Sequence, residues 1–234
     1  MRRGADIVNL GYVLNVIDNP EERPETAAAI ARHLLRFGTV PDEEEMREVT
    51  DLADYGLRAR EFCTALVASI GEESWQMQLR RIHNRLLKSV ALAHFRRTPK
   101  ASNFDRRTRH AIRVHFGSFR EAVELSLNEL HTVGQPDVIE TVCAQYDGGL
   151  LDKQALYVVQ EDRPRLPLVL QLCIELGRLF FGELDDVDQF KIHKRSGKLT
   201  LLFFKNFETR GTETLQQRVK IDFRARKMRV SGGG

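Results

Sequence analysis

From about residue 20 to about residue 146 the apolar positions recur every third or fourth residue, and in the last quarter they alternate. The first pattern predicts amphipathic helices and the second predicts half-buried strands. A short apolar run at residues 5–10 reads as a buried strand, and Asp18-Asn19-Pro20 then opens a helix that Gly38 ends. Pro41-Asp42 opens a short acidic helix, residues 57–70 form another that Gly71 stops, and residues 72–95 form the longest. On that helix Leu79, Ile82, Leu86, Val90 and Ala93 make one stripe, while Arg81, Arg85 and Lys88 make a second. Thr98-Pro99 breaks it.

Residues 105–116 predict the next helix, with Gly117 at its end. Ser118-x-x-Glu121 then has the form of a capping box for a helix whose apolar face is Phe119, Val123, Leu127 and Leu130. After a possible strand at residues 156–159, Pro167 starts a nearly all-apolar helix, with Gln171, Glu175, Arg178 and Gly182 as its thin water-facing stripe. Residues 189–193, 198–205 and 218–223 alternate as strands, Ser196-Gly197 supplies a hairpin turn, and residues 228–230 add a short edge. The expected fold is α+β and predominantly helical: a helical region followed by a small α+β unit with an antiparallel sheet. The expected divisions are residues 1–38, 39–148 and 149–230, with 231–234 as a flexible tail.

The 234-residue chain is 42% hydrophobic, enough for a real core. Cys63, Cys143 and Cys173 are far apart with no CxxC pair, so neither a disulfide framework nor a zinc ribbon is supported, and a reducing compartment is expected. The most apolar long stretch, residues 166–184, is interrupted by Gln171, Glu175 and Arg178, so no membrane span is expected and a cytoplasmic location is the default. Charge changes the picture most. The formal net charge of +3 is the sum of strongly polar blocks. Residues 18–61 carry 12 acidic against 6 basic side chains, and residues 80–113 carry 11 Lys or Arg against Asp105 alone. Residues 120–188 carry 14 acids against 5 bases, and residues 189–230 carry 12 bases against 3 acids.

Several segments, in order, resemble the DNA phosphorothioation-associated methyltransferase family. They are ADIVNLGYVLNVIDNPEERPET, LLKSVALAHFRRTPK, IRVHFGSFREAVELS, ALYV, LCIELGRLFFGEL, FKIHKRSGKLTLLFF and RVKIDFR. The resemblance covers most of residues 5–37 and 80–224. It implies DNA modification in a restriction-modification-like setting, with S-adenosylmethionine as cofactor of the full-length family. Asn9 and Tyr12 then fall near the family's substrate side. A Gly-rich turn and a ribose-binding acidic residue, which such a cofactor pocket needs, are missing. Residues 1–38 are therefore expected to be a remnant of a methyltransferase domain, with no cofactor held by this chain.

Phosphate binding needs several cations within reach of one backbone. The first candidates are Arg81, Arg85 and Lys88, then Arg96, Arg97 and Lys100, then Arg106, Arg107, Arg109 and Arg113. A second cluster, Lys194, Arg195 and Lys198, sits at the predicted hairpin, extended by Lys205, Arg218, Lys220, Arg224 and Arg226. Equally open from the residues alone, the acidic helices could pair with the basic block, and hairpin charges could protect a sheet edge. Gly117 could be the turn of a helix-turn-helix, but Glu121, Glu124 and Glu129 make the following helix wrong for lying on phosphates. Phe203, Phe204 and Phe207 could stack on bases or pack a strand core. His110 and His115 are five apart, so they share no helix face and no metal-ligand set is expected. The expected function is a non-catalytic, DNA-associated accessory module, with DNA and other DNA-modification proteins as partners. The alternatives are an S-adenosylmethionine-dependent DNA methyltransferase subunit completed by a partner chain, and a protein–protein interaction module.

Overall fold

The computed structural model describes residues 23–42, 44–45, 56–95, 97–207 and 214–232. The predicted strand at residues 5–10, Asn9, Tyr12 and Arg96 lie outside the described residues, as does most of the acidic helix expected after Pro41. At the start of that helix the backbone N–H of Asp42 donates to Glu45 Oε2 at 2.8 Å, and the N–H of Glu45 donates to Asp42 Oδ1 at 2.9 Å. The two carboxylates thus satisfy each other's donors, the reciprocal logic of a capping box.

The chain divides into two compact units. The first takes in the chain up to Ser89 together with Pro99–Ala122; the second is Val90–Thr98 with Val123–Gly234. Two of the three boundaries fall inside helices, where sequence composition gives no signal of a linker, and the third falls at Thr98-Pro99.

The first unit contains α1 (Arg23–Phe37), α2 (Gly56–Ile70), most of α3 (Glu72–Ala93), α4 (Arg106–Phe116) and the start of α5 (Phe119–Val133). Its core joins Ile30 and Leu34 of α1, Ala59, Phe62 and Cys63 of α2, and Trp75 of α3. Full burial of such side chains stabilises by about 1.5–3 kcal/mol each. Gly38 ends α1 at φ +69°, and its N–H donates to the Leu34 carbonyl at 2.8 Å. A Cβ there would lie 2.9 Å from both His115 Nε2 and Leu79 Cδ2, so α3 and α4 approach the end of α1 where only glycine fits. Asp105 caps α4 by accepting from the Thr108 N–H at 2.9 Å. At the start of α5 the Ser118 hydroxyl accepts from the Glu121 N–H at 3.1 Å, as predicted. The Glu121 carboxylate reaches back to the Ser118 hydroxyl, at 3.0 Å, where the expected partner was a backbone N–H.

The second unit contains α6 (Pro136–Gln145), α7 (Leu168–Phe181) and a six-stranded antiparallel sheet in sequence order. Its strands are β1 (Leu150–Leu151), β2 (Ala155–Val159), β3 (Gln189–His193), β4 (Lys198–Lys205), β5 (Thr214–Asp222) and β6 (Lys227–Gly232). The chain is therefore α+β, a helical region followed by an antiparallel sheet. Alternation sends Leu156, Val158, Phe190, Ile192, Leu199, Leu201, Val219 and Ile221 into one core with Leu170, Cys173 and Ile174 of α7 and Ile139 and Cys143 of α6.

Two expectations need correction. Gln171 and Glu175 do not form part of a water-facing stripe: both are buried, and only Arg178 and Gly182 of that set are exposed. Their polar atoms are met from within, because Gln171 Nε2 donates to the Leu166 carbonyl at 2.7 Å and Arg163 Nη2 donates to Glu175 Oε1 at 2.5 Å. The last strand is longer than residues 228–230, and it draws Ser231 and Gly232 of the expected tail into register with Arg218 and Gln217. The alternation signal there is weak because every residue of β6 is exposed.

Candidate nucleic-acid interface

In the first unit α4 carries its cations on one side and its core on the other. Ala111, Ile112 and Phe116 are buried, and at 100° per residue Arg106, His110 and Arg113 fall on the opposite stripe, while Arg109 lies on the flank beside Phe116. On α3 the same geometry sets Arg81, Arg85 and Lys88 opposite Ile82, Leu86 and Val90. The two helices touch: the His83 ring centroid lies 4.4 Å from that of Phe116 and 6.3 Å from that of His115. Two adjacent helices thus each present a basic face.

The candidates differ in how free they are. Arg81, Lys100 and Arg113 are exposed and Arg109 is half-buried; none makes an ion pair among the described residues. Arg106 is engaged, its Nη2 2.9 Å from Asp42 Oδ2 and its Nη1 2.5 Å from Glu44 Oε2. Arg85 donates to the Arg36 carbonyl at the end of α1. Burial first and the neighbouring Arg36 charge second lower its pKa. Lys88 is half-buried and makes contacts of its own. Arg107 lines a cavity of about 260 Å³ with Arg32, His33, Arg36, Phe37 and Glu45. His33 Nε2 lies 3.1 Å from Thr39 Oγ1 and 3.7 Å from Glu45 Oε2. Burial, then the Arg107 and His110 charges, press its pKa down to about 4.

Arg32 and Arg36 were not among the sequence candidates. Both are exposed on α1, four residues apart, and join Arg107 around the cavity. They were missed because they lie in a block that is acidic on balance. Their i, i+4 spacing away from Ile30, Leu34 and Phe37 was the available signal.

In the second unit Arg97 is exposed, and the hairpin forms where predicted, with β3 and β4 in antiparallel register. Its cations are partly committed within the fold. Arg195 Nη2 is 2.5 Å from Glu140 Oε2 of α6, and Lys198 Nζ is 3.2 Å from Asp222 Oδ2 of β5. Lys194 is half-buried, its N–H donating to the Gln154 carbonyl at 3.0 Å. The phenylalanines pack: Phe203 meets Phe181 at 5.6 Å between centroids, and Phe204 stacks with Phe207 at 5.3 Å. Cys63, Cys143 and Cys173 are free, buried thiols whose pKa burial pushes to about 11, 11 and 12. A thiol held protonated is a poor nucleophile. Among the described residues no group of three or more His, Cys, Asp or Glu is placed to hold a metal, and no helix is long and apolar enough to cross a membrane.

Chemically, the arrangement offers guanidinium and ammonium donors for an anion, with Arg109 and Arg113 of α4 unpaired among the described residues. No protein-family model, no curated protein and no solved structure matches the chain.

Proposed function

We propose that the chain is a non-catalytic, DNA-associated module of the phosphorothioation-linked methyltransferase type, gripping duplex DNA by its phosphates. The observation that carries the reading is α4, which holds the exposed Arg113 away from its buried face and the half-buried Arg109 on its flank, with no carboxylate paired to either among the described residues. Arg81, Lys100 and the exposed Arg32 and Arg36 extend the same unit's basic surface. The family resemblance supplies the DNA-modification setting, and the enzyme alternative is an S-adenosylmethionine-dependent DNA methyltransferase subunit completed by a partner chain. The internal pairs Arg106–Asp42, Arg195–Glu140 and Lys198–Asp222 favour a second reading, a protein-binding module whose basic blocks answer acidic ones.

Fluorescence anisotropy with a labelled duplex separates them. The wild-type chain is expected to bind at low salt and to lose affinity steeply between roughly 50 and 200 mM salt. The R109Q/R113Q variant should bind more weakly across all sequences, with a salt slope shallower by about 2. No binding by the wild-type chain at low salt sinks the DNA reading and leaves the protein-binding one. Calorimetry with S-adenosylmethionine tests the enzyme alternative, which requires heat of binding from the chain with its neighbours.

A further inference from the structure

The sheet of the second unit has two faces, and the one turned away from α7 is lined with cations. The strand registers bring Lys191 opposite Thr200, Thr200 opposite Lys220, and Lys220 opposite Arg229, a single row crossing β3 to β6. The next row sets Leu202 opposite Arg218 and Arg218 opposite Ser231. With neighbouring strands about 4.8 Å apart, the first row spans roughly 14 Å. Arg218, Lys220 and Arg229 are exposed and make no ion pair among the described residues.

We infer that this sheet face is a second DNA-binding surface, seating duplex phosphates on Lys191, Arg218, Lys220 and Arg229. The inference rests on the reading that the partner is duplex DNA, but on residues outside the helical block.

Three observations carry it. Lys220 and Arg229 are direct cross-strand partners, and like charges directly opposite destabilise a ladder unless a counter-charge sits over them. Edge protection accounts for cations on β6 but not for Lys191 and Lys220, which lie on inner strands. The field at the centre of the face is positive. His193 of β3, 3.1 Å from Thr200 Oγ1, has its pKa lowered to about 4, first by burial and then by Lys191, Lys220 and Lys198. The opposing carboxylates are few: Asp222 is held by Lys198, and Asp152 is the one acidic group acting on His193.

Duplex is favoured over single strand by the aromatic in the row. Non-specific single-strand binders stack bases on open aromatic platforms. Here the Tyr157 hydroxyl is 2.5 Å from Lys191 Nζ, and the same ammonium lies 4.7 Å from the ring centroid. The ring is occupied.

The test uses the full chain and labelled duplex and single-stranded DNA of one sequence. K220Q/R229Q is expected to flatten the duplex salt slope by about 2, shrinking the loss between roughly 50 and 200 mM about tenfold. Acetylation footprinting of the wild-type chain supplies a readout that needs no variant. Bound duplex should slow labelling of Lys191 and Lys220 several-fold and leave Lys205 unchanged. If wild type binds duplex, R109Q/R113Q weakens it, and neither K220Q/R229Q nor the footprint responds, the sheet surface is wrong and the helical reading stands. If wild type binds no DNA, both fall. Binding to single strand in preference to duplex also overturns the proposal.

Discussion

Glu175 is the one charged residue among the buried positions of α7, and its side chain is 6% exposed. Its charge is answered by Arg163, 17% exposed and 2.5 Å away, while its second oxygen is buried with no hydrogen-bond partner and has Arg178 Nη1 at 3.8 Å. Removing one member of a buried pair strands the other, and the residue that cannot reach water loses more. R163M should therefore destabilise by about 3–5 kcal/mol, read as a lowered urea midpoint. E175M should cost distinctly less, because the Arg163 stem can turn its guanidinium toward solvent. Equal losses for the two would contradict this asymmetry. The pair also marks a limit of sequence reading. Gln171 and Glu175 lie four apart on an apolar helix, and periodicity alone cannot say whether the polar side meets water or a partner. The partner comes from residues 160–165, a 3₁₀ turn that no pattern in the sequence announces.

At the scale of elements, α7 lies on the sheet through a glycine. A Cβ on Gly177 would stand 2.7 Å from Leu199 Cδ2 and 3.5 Å from Ile221 Cδ1, both on fully buried side chains. Alanine would gain up to about 1 kcal/mol of helix propensity, but overpacking costs about 1–3 kcal/mol, so G177A should destabilise by roughly 1–2 kcal/mol. A raised thermal midpoint for G177A would mean that α7 can lift without loss. Much of this layer was readable: α7, the β3–β4 hairpin and the inward set Phe190, Ile192, Leu199 and Leu201 follow from periods of 3.6 and 2. The two-residue β1 and the full length of β6 were not, because short or wholly exposed strands carry no alternation. The basic candidates were legible as a list, yet their grouping was not. Whether Lys191, Lys220 and Arg229 share a row depends on registers across four strands, and whether Arg106 is free depends on Asp42, sixty-four positions away.

For the whole molecule, the concentration of cations has a consequence in acid. The two histidines pushed furthest down sit among positive groups: His33 near Arg107 and His110, and His193 near Lys191, Lys198 and Lys220; burial also lowers His83, to a lesser extent. Burial is the first cause in both, and each pKa falls from 6.5 to about 4. Between those values the unfolded chain binds protons that the folded chain refuses, so stability rises with pH across that window. The contribution is fully present above pH 6.5 and drains away as pH falls toward about 4. The depressed Asp42, Asp105, Asp152 and Asp222 act below their ordinary value of 3.8, outside the window, and the depressed Glu140 acts below 4.5, at its acid end and under the range from pH 7 to pH 5. Discounted for solvent screening, each histidine should withdraw about 1 kcal/mol between pH 7 and pH 5. Thermal melts across that range should show the midpoint falling, with H33Q and H193Q each flattening part of the slope. Bound phosphate would offset the lysines around His193. Adding duplex DNA should therefore lessen the fall for wild type and leave H193Q with little further change. A midpoint that holds level from pH 7 to pH 5 would show that both imidazoles take up protons in the folded chain as freely as in the unfolded one.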